Sequence, residues 1–236
     1  MRLVFNKTYL CCGCGRRYDA SDAAIAYKGS CICSGCFDKL DKVSPKSMFE
    51  SIGKLDFVSA AFYYTNMYRH IFINYKFHNH LIYGHLLGIA IREYFSSFPE
   101  LSSYDCIIPV PLSSKRQKLR GFNQSDIFAK YISQAIGVPV RTSLKRLSNE
   151  EPQSRLSSVE RAVNVRDAFF CEDDLRGLDV ILVDDIYTTG NTMKACAAAV
   201  CDAGAKSVCG AVGAYVYRKE RNINKLPRVV SDKYRK

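Results

Sequence analysis

Short, wholly apolar runs alternate along the chain with longer stretches in which apolar positions recur every three or four residues. Phe57 to Tyr64 (FVSAAFYY) is strand-like, and the stretches from about Met67 to Phe77 and from Leu81 to Tyr94 carry the helical period. Asp105 to Val110 (DCIIPV) predicts a short buried strand, followed by a loop rich in polar and basic residues. Asn123 to Ile136 has helical periodicity, with an Asn cap before it and Gly137 just beyond its end. Val138 to Arg141 predicts another short strand, and polar Asn149 to Asn164 a loop leading into a short helix. Val180 to Val183 (VILV) is apolar without alternation, as expected of a central parallel strand covered on both faces. It should end in two acidic residues and a polar turn. An Ala-rich helix from Met193 to Asp202, stopped by Gly204, and a buried strand from Ser207 to Val216 then follow. This order predicts an α/β fold with a doubly wound parallel sheet. Ligands of such sheets sit beyond the carboxyl ends of the strands, where the loops after Val110 and Val183 both emerge.

Composition adds a second, smaller unit. The chain has 236 residues and eleven cysteines, six of them between residues 11 and 36. Cys11/Cys14 and Cys33/Cys36 form two Cys-x-x-Cys knuckles separated by eighteen residues, the spacing of a four-cysteine zinc ribbon. A two-residue gap lets each knuckle present both thiolates to one tetrahedral ion, with Gly15 and Gly35 expected to permit the turns. Cys12 and Cys31 are spare, and the ligand frame has room to shift to either. Disulfides and a redox pair are the alternatives. The first is disfavoured by the lack of a secretory signal, and the second needs only one Cys-x-x-Cys. Four thiolates leave no open coordination position, so the zinc is expected to be structural. Cys106, Cys171, Cys196, Cys201 and Cys209 are expected to be small buried hydrophobes.

The segment Val180 to Thr192 (VILVDDIYTTGNT) carries the most chemistry. Adjacent Asp184 and Asp185 at the end of a buried strand are costly unless something pairs with them. Thr188, Thr189, Gly190, Asn191 and Thr192 bring hydroxyls and a permissive glycine to a helix N-terminus, where backbone N–H groups favour a phosphate. Carboxylates a few residues upstream suit a vicinal diol. Together these describe a ribose 5-phosphate site; ordinary capping accounts for one Asp and one Thr only. The segment resembles the signature of type I phosphoribosyltransferases. A P-loop is excluded by the lack of a glycine-rich run ending in Gly-Lys-Ser/Thr.

Taken with the knuckles, with Lys76 after an aromatic-rich helix, Ile108-Pro-Val-Pro111, Arg120-Gly-Phe-Asn-Gln124, Gln153, Arg161, Asn164 and Ala168-Phe169, the chain resembles the ComF family. The resemblance implies a zinc ribbon over residues 1–45, a phosphoribosyltransferase-like domain over 46–217 and a basic tail over 218–236. It implies phosphoribosyl pyrophosphate (PRPP) as ligand, with Mg²⁺ bridging pyrophosphate and ribose. Ser113, Ser114, Lys115 and Arg116 look like the pyrophosphate loop of type I enzymes, and Arg120 and Arg161 are further candidates for neutralising the leaving group. Transfer to an acceptor would then be electrostatic catalysis with no general base in evidence. The family resemblance also implies a role in DNA uptake during natural competence, alongside other DNA-uptake proteins. The other readings are a non-catalytic PRPP sensor and a single-stranded-DNA-binding accessory protein.

Charge bears on the last of these. Formal net charge is +11, and residues 218 to 236 hold eight Lys or Arg against Glu220 and Asp232. Such a tail is either solvated or attracted to a polyanion such as single-stranded DNA. No apolar stretch reaches the length of a membrane span, so no membrane insertion is expected, and the N-terminus is a poor signal peptide. The chain reads as soluble and cytoplasmic.

Overall fold

The computed structural model describes residues 8–44, 53–77, 80–147 and 168–217. Strands β1 (Thr8–Cys11), β2 (Arg17–Asp19), β3 (Ala23–Tyr27) and β4 (Ser30–Cys33) form a small sheet of order β2-β1-β4-β3. A single helical turn, α1 (Ser34–Phe37), follows it. The chain then lays residues 41–43 antiparallel along β5 (Val58–Tyr63): Tyr63 N–H donates to Asp41 O and Val43 N–H to Ala61 O, flanking a bridge between Lys42 and Phe62.

The main sheet is parallel, of order β5-β10-β9-β6, with β6 at Cys106–Pro109, β9 at Asp179–Tyr187 and β10 at Ser207–Tyr215. Its apolar runs are continuous because both faces are covered. Ile181 and Val183 join one core with α2 (Asn66–Phe77), α3 (Leu81–Phe95) and α5 (Gln124–Ile136). Val180 and Leu182 join a second core with α6 (Asn191–Asp202). A two-stranded antiparallel ribbon of β7 (Leu144–Arg146) and β8 (Phe169–Cys171) adds to the second core. The expected doubly wound parallel sheet is therefore present.

The first core fixes α2 in place. Tyr75 is fully buried, and its ring fills a notch at Gly84 of α3, where an added Cβ would lie 2.4 Å from the ring. The same ring stacks on Phe122 at 5.1 Å. The small sheet docks on the same helices: Tyr27 of β3 stacks on His85 of α3 at 4.7 Å, and His85 Nδ1 is 3.0 Å from the Tyr131 hydroxyl of α5.

Three expectations are corrected. β9 does not stop at Val183 but runs through both acids to Tyr187, because β10 stays hydrogen-bonded beside it as far as Tyr215. The basic stretch after Val110 is not all loop. Ser113 caps a helix, α4 (Ser114–Arg120), which closes at Gly121 in the left-handed region. Val138 to Arg141 contributes a single parallel bridge, Val140 to Ile107, rather than a strand. The expected loop and helix from Asn149 to Asn164 lie outside the described residues, as does the tail from Arg218. Among the described residues no helix is long and apolar enough to cross a membrane.

Candidate functional site

The small sheet brings the four expected cysteines together. The sulfurs of Cys11, Cys14, Cys33 and Cys36 lie within 4.8 Å of one another. Tetrahedral thiolates around zinc are separated by about 3.8 Å, so the cluster fits one such ion after a small contraction. The amides of Gly13 and Cys33 both point at Cys11 Sγ, at 3.4 Å, and the Tyr18 hydroxyl lies 3.6 Å from Cys14 Sγ. Donors of this kind orient and partly neutralise thiolates. Cys12 and Cys31 are buried outside the cluster, with burial raising both thiol pKa values. Gly15 does take the left-handed conformation, but Gly35 does not. The glycine that matters for close approach is Gly13, where a Cβ would sit 2.8 Å from Cys36 Sγ, a requirement that only the folded knuckles reveal.

The second group of residues gathers at the carboxyl end of the main sheet. β6 accompanies β9 only to the pair Pro109–Val183, so Asp184 and Asp185 stand just where β9 loses a neighbour. Successive strand residues alternate between the faces of the sheet. Leu182 before them lies in the α6 core and Val183 in the core of α2 and α5, and each acid finds its partner on a different helix, Asp184 on α5 and Asp185 on α2. Asp184 accepts from the Ser125 hydroxyl at 3.1 Å and from the Asp185 N–H at 2.8 Å. Burial, with the charge of Asp185 added, nevertheless pushes its carboxyl up to about 7. Asp185 Oδ2 pairs with Lys76 Nζ of α2 at 3.3 Å.

Beyond Tyr187 the chain turns at exposed Thr188 and Thr189 into Gly190, the N-cap of α6, with Asn191 and Thr192 exposed in the first helical turn. Gly190 has φ +76°, and an added Cβ would lie 2.2 Å from the Tyr187 hydroxyl oxygen. No side chain caps this helix, so the amides of its first turn have neither an intrahelical partner nor a capping side chain. The expected phosphate residues are thus placed together, on the α6 side of β9.

Of the expected pyrophosphate residues, Ser113 is engaged as the cap of α4, accepting from Arg116 N–H at 3.4 Å. Ser114, Lys115 and Arg116 are exposed in its first turn. Arg120, at its end, donates to Gln124 Oε1 at 3.3 Å. Burial lowers the pKa of the Arg120 guanidinium, and the nearby charge of Asp185 opposes that shift. Arg161 lies outside the described residues. Two residues outside the expected set join the site. Lys76 enters the sequence reading as one of the residues that carry the family resemblance, without a role at the acids, and Ser125 only as part of the predicted helix from Asn123 to Ile136.

Comparison with known proteins agrees with this architecture. Residues 124–234 match the family described as "Phosphoribosyl transferase domain". Competence protein F of Haemophilus influenzae is 34% identical over 113 residues, 46% of this chain and 49% of that protein. Competence protein ComFC of Bacillus subtilis is 27% identical over 143 residues, covering 60% and 56% respectively. DNA utilization protein YhgH of Salmonella typhi is 35% identical over 105 residues, covering 44% and 46%. The chain spans about half the length of the curated relatives it matches. Fold and matched family define a protein with a phosphoribosyltransferase-type domain. Within that class the chain is a homologue of the ComF competence proteins.

Proposed function

We propose that the protein binds PRPP with Mg²⁺, the 5-phosphate on the turn from Thr188 to Thr192 and the ribose diol at Asp184 and Asp185. The observation that carries this reading is the position of the two acids. They lie between an uncapped helix N-terminus on one side of β9 and the cations Lys76 and Arg120 on the other. PRPP has the matching form, with an anionic group at each end and a diol between them. Mg²⁺ keeps most of its waters and needs few protein oxygens, so the two aspartates suffice beside the ligand's own; when bound it neutralises pyrophosphate charge.

The reading extends to transfer of the 5-phosphoribosyl group. An acceptor forms a bond to C1 of the ribose as the bond from C1 to pyrophosphate oxygen breaks, and the electron pair leaves with pyrophosphate. Arg120, Lys115 and Arg116 stabilise the departing charge. The cysteine cluster holds Zn²⁺ as a structural ion. Isothermal titration of PRPP with Mg²⁺ into wild type and into Asp184→Asn/Asp185→Asn is the test. Saturable binding lost in the double variant is the expected result; absence of binding by folded, zinc-loaded wild type overturns it.

A second reading concerns single-stranded DNA, in keeping with the competence proteins among the relatives. It is favoured by Tyr217, 57% exposed and edge-on to Tyr63, at the start of the segment that carries eight Lys or Arg. Aromatic stacking combined with positive charge along the backbone is how single strands are held without sequence preference. Salt-dependent binding that weakens on deleting residues 218–236 is expected.

A further inference from the structure

Lys76 reaches the site from α2, an element that precedes the whole βα series around the acids. Its side chain is 22% exposed and that of its partner Asp185 15% exposed, and its ammonium lies 5.1 Å from the centroid of the Phe72 ring. The stem cannot easily retreat, because α2 is locked by Tyr75 in the Gly84 notch and by Tyr68 stacked on Phe72 at 5.8 Å. A partly buried ion pair tolerates loss of one partner poorly, since the remaining charge is left desolvated. Any ligand that takes Asp185 for its own hydroxyls or metal therefore releases a cation that needs a new anion nearby.

We propose that Lys76 is a ligand-binding residue that moves from Asp185 to the pyrophosphate end of PRPP when the ribose and Mg²⁺ engage the carboxylate. This rests on the PRPP reading above. The assignment to the pyrophosphate follows from sides. The 5-phosphate turn lies on the α6 side of β9, whereas Asp185 and Lys76 lie on the α2 side. Arg120 is on that same side, close enough for its charge to act on Asp185, and Arg116 is close enough to act on Arg120. Lys76 pairs with Asp185, Arg120 feels its charge, and Arg116 acts in turn on Arg120, so three cations share this side; of the three only Lys76 carries its charge as a compact ammonium on a flexible stem.

The test compares PRPP with Mg²⁺, pyrophosphate with Mg²⁺ and ribose 5-phosphate as titrants of wild type, Lys76→Met and Lys76→Arg, full chain, with thermal melts as the folding control. Loss of a charge-assisted contact predicts that Lys76→Met weakens PRPP and pyrophosphate by about tenfold or more, while ribose 5-phosphate changes by less than about twofold. Lys76→Arg should retain most of the affinity. If Lys76→Met melts well below wild type, Lys76→Gln supplies the neutral side chain instead. Unchanged PRPP affinity overturns the proposal, and so does equal weakening of ribose 5-phosphate, which would mean that Lys76 serves only to hold Asp185. Wild type that binds none of the three overturns the PRPP reading and this inference with it.

Discussion

The hydroxyl of Ser125 donates to Asp184 at 3.1 Å, tying the first turn of α5 to the residue at which β9 loses β6 as a neighbour. One bond thereby links a helix start to the mouth of the sheet and sets how the first acid is held.

The raised carboxyl of Asp184 gives a pH dependence of unusual sign. Its pKa moves from an ordinary 3.8 to about 7, so between those values the folded chain binds more protons than the unfolded one. Stability from this group is complete below about pH 4 and is lost as pH rises through about 7. Asp184→Asn in Mg²⁺-free buffer is expected to raise the melting temperature by about 2–4 °C at pH 8, with little change at pH 4. Melts across pH 4 to 8 decide this, and a larger gain at pH 4 than at pH 8 contradicts the assignment.

Gly190 is required twice, by a φ of +76° and by the Tyr187 ring against its α-carbon. Gly190→Ala should cost about 2 kcal/mol or more, the sum of left-handed strain and a displaced ring. Urea unfolding measures it. Tyr187→Phe in the same background removes the oxygen nearest the new methyl group, so it should recover part of the loss.

Metal analysis of purified protein should find one Zn²⁺ per chain, and a strong chelator should lower the melting temperature. Gly13→Ala places its methyl against Cys36 Sγ. It should therefore reduce zinc retention during dialysis, whereas Gly35→Ala, with nothing within 4 Å of its added carbon, should not. Equal retention by the two variants would contradict the role given to Gly13.

Much of this architecture was legible because several local signals coincided. Val180 to Val183 is too apolar for a half-exposed strand, and Asn123 and Gly137 mark both ends of α5 as caps. The hydroxyl-rich run from Thr188 to Thr192 then marks the turn into α6. The end of β9 is not legible in the sequence, because two acids and a run of hydroxyls look like a turn although the strand runs to Tyr187. The pairing of Ile186 with Ala214 and of Tyr187 with Tyr215 overrides that composition, and no local pattern shows which neighbour a strand keeps. That Lys76 and Ser125 hold the acids is not legible for a different reason: they reach them from 109 and 59 residues away in sequence.

The segment from Asp41 to Val43, laid along β5, gives the cysteine cluster an influence beyond its own sheet. Without that cover the outer flank of β5 would present bare N–H and C=O groups, a template for another copy of the chain. The cover is anchored through Leu40, packed in the core that includes Cys33 and Cys36, and through Val43, buried in the core of the main sheet. A bound metal that steadies the knuckles thus also shields a strand some distance away. Its removal should be seen as concentration-dependent self-association as well as local loosening.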